Sequence, residues 1–254
     1  MISLRGLAAA GLLLGCPLPV AAQTGTVTVD TVLARARRWL GPVTLERVRS
    51  IRVAAEVNGP RGQLWTVIRS RIDGRMRFEQ HGPDGPAFIA GIGRGEPWEW
   101  STEKAQAGRL APQFASGIVG HEYHLLIAYP TSRWTAPRLA GRELAEGDTL
   151  WRVDFKDRLG ATASIRYAAD GRPVDVLLFN HSGQGSPVVR VRLFDWPAAG
   201  DGPRLFRHAV IFHGSETWLY HYVTLESDTA GDAVFEASAP IDAPGRKEAA
   251  EGCP

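Results

Sequence analysis

The stretch His121-Glu122-Tyr123-His124 is the most metal-like in the chain. On a helix, residues three apart share a face, so both imidazoles could reach one ion. The spacing is not that of HExxH, in which two histidines four apart flank a general-base glutamate, and no third ligand follows. The mismatch favours a half-buried polar stripe on a covering helix. His208, His213 and His221 fall on late alternating segments, and a tight hairpin at Gly214-Ser215 would bring His213 towards His221. No nearby cysteine or paired carboxylate completes a zinc set there. Ser182-Gly183, Gly185-Ser186 and Gly214-Ser215 are Gly/Ser turns, not the G-x-S-x-G elbow of an activated serine. Gly91-Ile92-Gly93-Arg94-Gly95 is too short for a dinucleotide fingerprint, and no helix follows it. No residue set demands an enzyme, a metal or a cofactor, so the expectation is a protein that binds rather than catalyses.

The aromatic residues offer a different chemistry. Eight Trp in one chain require an interior that is large, or that the protein fills only in part. Trp98, Trp100, Trp151, Phe155 and Trp218 sit on extended segments, mostly facing with the apolar residues of their strands. Singly, each reads as ordinary core. Together they can line an acyl pocket, because a hydrophobic ligand needs a broad apolar surface and few polar anchors. Each buried methylene is worth roughly 0.8 kcal/mol, so a chain of about a dozen leaves several kcal/mol after ordering costs.

The elements that would position these residues alternate with a period of two. Leu45 to Gln80 holds three such segments, punctuated by Asn58-Gly59-Pro60-Arg61-Gly62 and Asp73-Gly74. Ile51, Val53, Ala55 and Val57 share one side of the first, and Leu64, Ile68 and Ile72 one side of the second. Met76 and Phe78 oppose Arg75, Arg77 and Glu79 on the third. This predicts an antiparallel meander with an apolar face and an Arg-rich, solvated, convex face. Asp30 to Leu40 repeats at helical spacing, with Asp30 as N-cap and Gly41-Pro42 as stop. Phe114, Ile118, His121 and Leu125 suggest a second helix over about 111–128. Arg138 to Arg142 reads as a loop or short strand. Alternation returns at Trp151-Val153-Phe155, Ala163-Ile165-Tyr167, Val174 to Phe179, Val189-Val191-Leu193, Phe206-His208-Val210-Phe212 and Trp218 to Leu225.

Charge is nearly balanced, 29 Lys+Arg against 27 Asp+Glu, which is no nucleic-acid footprint. Met1 to Arg5, the apolar Gly6 to Gly15 and the small residues before Gln23 form a secretory signal peptide over residues 1–22, too short to span a bilayer. Cleavage after Ala22 predicts a periplasmic protein. Leu13-Leu14-Gly15-Cys16 also resembles a lipobox, which would anchor the chain through Cys16, although Pro17 fits that pattern poorly. Cys16 and Cys253 are the only cysteines, so no disulfide is expected inside the mature domain. Residues 23–240 read as one domain and 241–254 as a disordered tail.

The order of parts resembles the outer-membrane lipoprotein-sorting proteins, the LolA/LolB-like fold. The resemblance rests on the signal and short helix, then Val48-Arg49-Ser50-Ile51-Arg52 and Arg75-Met76-Arg77-Phe78-Glu79. It continues through the Gly/Trp element Gly91 to Trp100, the strand Thr149 to Phe155, Asp170-Gly171-Arg172-Pro173, and the close Phe235 to Pro240. It covers about residues 30–240, and each motif is weakly specific; their order carries the likeness. The resemblance implies a mainly β, α+β fold: a curved antiparallel half-barrel of about ten to eleven strands whose concave apolar face is lidded by helices. It implies a cavity for lipid or lipoprotein acyl chains. The expected lining is Ile51, Val53, Leu64, Ile68, Met76, Phe78, Trp98, Trp100, Trp151, Val153, Phe155 and Trp218. The expected lid is Leu33, Ala36 and Leu40 with Phe114, Ile118 and Leu125. Lipid or an acylated lipoprotein is the expected partner of a monomer, with no nucleic acid and no cofactor. The competing expectations are an envelope interaction or sensor module without a ligand, and a His-dependent metalloenzyme.

Overall fold

The apolar alternation of Ser50–Gly59 breaks at Pro60-Arg61, and the chain reverses there. Strands β1 (Ser50–Gly59) and β2 (Gly62–Arg71) pair antiparallel from Ser50 opposite Arg71 to Gly59 opposite Gly62. Gly62 closes the turn at φ +92°, a left-handed conformation that favours glycine. β3 (Met76–Gly82), β4 (Gly85–Ile92), β5 (Pro97–Ser101) and β6 (Gln106–Arg109) extend the sheet outwards, each against its predecessor.

The chain then leaves the sheet. A short helix α2 (Tyr123–Ala128) and a 3-10 turn (Pro130–Ser132) carry it to the opposite edge. From β7 (Thr135–Ala145) it returns strand by strand. β8 (Asp148–Lys156), β9 (Thr162–Tyr167), β10 (Pro173–Leu178), β11 (Val189–Phe194), β12 (His208–His213) and β13 (Glu216–Ser227) follow, and β13 pairs with β1. The result is one thirteen-stranded antiparallel sheet, ordered β6-β5-β4-β3-β2-β1-β13-β12-β11-β10-β9-β8-β7. It is a curved half-barrel, not closed into a barrel. This computed structural model describes residues 27–41, 47–94, 97–101, 106–111, 121–156, 161–179, 188–198, 203–228, 231–239 and 241. The signal segment with Cys16, Phe114 and Ile118 of the proposed lid, and the tail with Cys253 lie outside the described residues. No described helix is long and apolar enough to cross a membrane.

The sheet has thirteen strands rather than ten to eleven, and β7 shows why. Its sequence TAPRLAGRELA is largely exposed along its length, so no buried face imposes alternation. As an edge strand it carries charges, a positive-φ Ala136 and register shifts on either side of Leu139, features that discourage pairing with another chain.

Helix α1 (Val29–Leu40) starts one residue earlier than its sequence suggests. Thr28 is the N-cap, its hydroxyl accepting from the Thr31 amide at 3.3 Å, and Asp30 lies in the first turn, where a carboxylate favours the helix dipole. Val32, Ala36 and Leu40 form the buried stripe. The helix backbone rests on the β9–β10 turn at Gly171, where an added Cβ would come within 2.5 Å of the Arg35 carbonyl carbon. Within the proposed 111–128 helix, the described helical part is α2 alone. Its Tyr123, His124, Leu125, Leu126 and Ile127 are all buried, as befits a helix covered on every side.

Candidate functional site

Residues directly opposite one another on paired strands share a face, so the register assigns the faces. In the first half, Val53, Ile68, Phe78 and Ala90 form one row across β1, β2, β3 and β4. Ser70, Met76 and Ile92 form the next with Ile51, and Val57 faces Leu64. In the second half, Val153, Ile165, Val176, Val191, Ile211 and Trp218 form a single row from β8 to β13. Trp151 opposes Tyr167, and Phe155 opposes Ala163. All these apolar side chains belong to, or pack against, one core cluster beneath the helices. Ten of the twelve expected lining residues therefore share the concave face.

Trp98 and Trp100 do not. They lie opposite Gly91 and Ile89, which pair with Arg77 and Glu79, so both indoles stand on the convex face. Their period-two spacing does put them on one face, but strand alternation alone could not say which. The late strand is also corrected. Ala209 and Ile211 carry the buried face of β12, whereas Phe212 is 39% exposed and Phe206 precedes the strand altogether.

The concave face is covered by short pieces. From α2 come Leu125, Leu126 and Ile127; from α1 come Ala36 and Leu40, with Leu33 partly buried beside them. Trp134 and Phe206, both buried, complete the cover together with a T-shaped Trp39–Trp196 pair at 4.9 Å. Sequence reasoning assigned no role to Trp134 and Trp196 and placed Phe206 on a strand, because each lies just outside a regular element where no periodicity marks it. A buried ion pair fastens α2 to the sheet. Arg133 holds both carboxylate oxygens of Glu122, Nη2 to Oε2 at 2.7 Å, and donates to the Arg71 carbonyl at 2.8 Å.

Few polar groups enter this interior. His124 stacks on Phe206 with centroids 3.8 Å apart, and its Nε2 lies 3.0 Å from the Phe206 carbonyl. Burial, with Arg207 adding repulsion, pushes its pKa down to about 3. Burial also lowers His121, to about 4, where the ring meets Phe78 and Tyr123. The two imidazoles thus engage different partners, and no group of three His, Cys, Asp or Glu able to hold an ion occurs among the described residues. The fully buried hydroxyls of Tyr167 and Tyr222 have no hydrogen-bond partner among the described residues, and burial pushes both phenols upward. On the other face, His221 stacks with His208 at 4.6 Å rather than with His213, because the β12–β13 register sets His208 opposite it.

The convex face is not the solvated Arg surface its composition suggests. Residues 231–239 run across it as a strap, with a 3-10 turn over Asp232–Phe235. Arg77 is 1% exposed: its Nε meets Glu79 at 2.6 Å, and its Nη atoms donate to the carbonyls of Val234, Glu236 and Ala239. The Trp98 indole donates to the Phe235 carbonyl at 3.1 Å, and Phe235 is fully buried. Asp232 pairs with Arg71, Arg75 and Arg94, and these guanidinium groups hold its carboxyl well below the usual range. A 260 Å³ cavity lies between the strap and Arg77, Ile89 and Trp100. Beyond the strap, β8 to β11 carry an ion-pair ladder in which the buried Asp175 receives Arg166, Arg190 and Arg192.

No protein-family model and no curated protein sequence matches the chain. Solved structures do. A LolA superfamily protein from Nitrosomonas europaea superposes with a TM-score of 0.57 at 12% identity, covering 83% of this chain and 98% of that one. A domain named for outer membrane lipoprotein sorting, from Vibrio parahaemolyticus, gives 0.55 at 12% identity, covering 82% and 95%. A DUF1329 family protein from Desulfovibrio piger gives 0.58 at 14% identity, covering 84% and 99%. The protein has the LolA-like fold, as the order of its sequence parts suggested.

Proposed function

We propose that the protein is a periplasmic lipid-binding protein that holds the acyl chains of a lipid or lipoprotein against the concave face. The carrying observation is the unbroken apolar row from Val153 to Trp218, under a cover whose described part is two short helices and a few loop aromatics. Sheet strands are tied to their neighbours by ladders of hydrogen bonds and α2 is fastened by Arg133, whereas α1 meets the core through its apolar stripe, so α1 is the part that can lift. The proposed lining is Ile51, Val53, Leu64, Ile68, Met76 and Phe78 with Trp151, Val153, Phe155 and Trp218. Trp98 and Trp100 belong to the strap instead. The unpartnered hydroxyls of Tyr167 and Tyr222 are available to a polar group carried in with the chain. The mature protein then begins after Ala22, or at an acylated Cys16, and the mass of its N-terminus decides between them.

Mass spectrometry of the purified protein should detect co-purifying lipid, and palmitate should compete with 1-anilinonaphthalene for the interior. Phe78→Asp should abolish dye uptake, while the exposed Arg61→Ala should leave it intact. No bound lipid together with no competition overturns the reading. One observation favours a second reading, an envelope interaction module with a packed interior: Met76, Val153 and Phe155 are at most 1% exposed. That module would neither take up dye nor carry lipid.

A further inference from the structure

A cleft lies outside the core, against α1. It measures about 420 Å³ and is lined by Arg35, Arg38, Trp39, Ala169 and Asp170. Its walls are one flank of α1 and the β9–β10 turn, and the adjoining stripe of the same helix is the buried Val32, Ala36 and Leu40. A chain leaving the concave face beneath α1 therefore emerges beside this cleft.

The charges there are unusual for this molecule. On the sheet, guanidinium groups such as Arg152, Arg166, Arg190 and Arg192 meet carboxylates. Arg35 and Arg38 have no carboxylate within ion-pair distance among the described residues. Three apart on one helix face, they repel each other unless an anion lies between them. A third guanidinium, that of Arg204, lies 4.4 Å over the Trp39 ring and adds positive potential. The cleft's acid, Asp170, accepts from the Arg172 amide at 3.0 Å and so turns towards its own loop. Two convergent guanidinium groups suit the paired oxygens of a phosphate, which they bind by charge-assisted, bidentate hydrogen bonds.

We infer that this cleft is a phosphate site, and that it takes the headgroup of an anionic lipid whose acyl chain lies under α1. The inference rests on the lipid-binding reading above and narrows its ligand to phosphate-monoester or phosphodiester lipids without a compensating cation. Trp39 lies at the phosphate end of the bound lipid, and the Ala36–Leu40 side at the acyl end.

The test compares two single-chain lipids with the same myristoyl tail, lysophosphatidic acid and lysophosphatidylcholine, as competitors of 1-anilinonaphthalene. The wild-type protein should prefer lysophosphatidic acid by about tenfold, and raised salt should shrink the preference. Arg35→Gln with Arg38→Gln should remove the preference, weakening lysophosphatidic acid far more than lysophosphatidylcholine. Equal binding of both lipids by the wild type overturns the headgroup site alone. Failure of both to compete overturns the lipid reading and this inference with it. Quenching of tryptophan emission by inorganic phosphate, at concentrations where lysophosphatidic acid shows no advantage, reassigns the cleft to free phosphate. Should the double variant lose its cooperative thermal transition, Arg35→Lys with Arg38→Lys keeps the charge: partial retention of the preference supports the site, and none overturns it.

Discussion

Arg77 and Phe78 are adjacent in the chain, point to opposite faces of β3, and are buried almost equally, at 1% and 5% exposure. What covers them differs in kind. Phe78 meets apolar side chains, His121 and the row through Ile68 and Ala90, an environment that asks only for shape and oiliness. Arg77 meets Glu79 and three backbone carbonyls, each a specific acceptor at a specific place. An apolar cover can be exchanged for another, including a ligand's acyl chain, because dispersion and the hydrophobic effect have little directional demand. A polar cover cannot, because removing an acceptor strands a buried donor. The two faces of one sheet thus divide the labour: the concave one is suited to exchange its contents, and the convex one holds the sheet's shape.

The strongest way to break this comparison is to remove the convex guanidinium. Arg77→Leu takes from the buried Glu79 its nearest guanidinium, leaving Arg69 at 3.5 Å, and removes the Arg77 donors from the strap carbonyls, and should cost roughly 3–5 kcal/mol in urea unfolding. A loss within the range of an ordinary surface substitution would show that the strap is not integral to the fold. Next, Phe78→Ala and Ile89→Ala remove buried apolar mass from the two faces, each at a cost of about 2–5 kcal/mol. Only Phe78→Ala should change dye uptake and lipid content; equal changes in both would erase the functional distinction between faces.

A smaller effect follows from His124, whose folded pKa lies near 3, below the 6.5 of an unperturbed histidine. The unfolded chain therefore binds the proton more readily. This contribution to stability is complete above about pH 6.5 and is lost as pH falls towards the folded value, at roughly 1.4 kcal/mol per pH unit in that window. His124→Phe, which keeps the stack on Phe206, should reduce the fall of the unfolding midpoint between about pH 6.5 and 4, the remainder coming from His121. The smallest effect belongs to the strap's exposed end. The depressed carboxyl of Asp232 contributes stability above its unfolded value and loses it as pH falls through the folded one. Asp232→Asn should remove an acid-side change in Trp98 emission without changing dye uptake.

The concave face was largely legible in the sequence. Ile51, Val53, Ile68, Met76 and Phe78 alternate with polar residues, and a period of two can mean only a strand with two unlike faces. The order of parts along the chain pointed to the right fold. Trp98 and Trp100 were misplaced because an isolated pair two residues apart fixes a common face but not its identity, which comes from register with Gly91 and Ile89. Of the eleven residues of β7 only Arg138 to Arg142 read as a loop or short strand, because an exposed edge imposes no pattern. The lid was legible only in part: Leu125 lies in a helix whose described length is six residues, too short for its period to show.

The sequence by itself determined where most strands run, which residues of most strands are apolar, and that α1 has one buried stripe. These are local properties, set by side-chain spacing within a few residues. Tertiary structure alone decided that an Arg-rich face is buried. Residues 231–239 lie more than 150 positions from Arg77, and no periodicity announces an acceptor that arrives from so far away. The same long-range return decided that β13 pairs with β1, making one thirteen-stranded surface from two meanders that each read as complete.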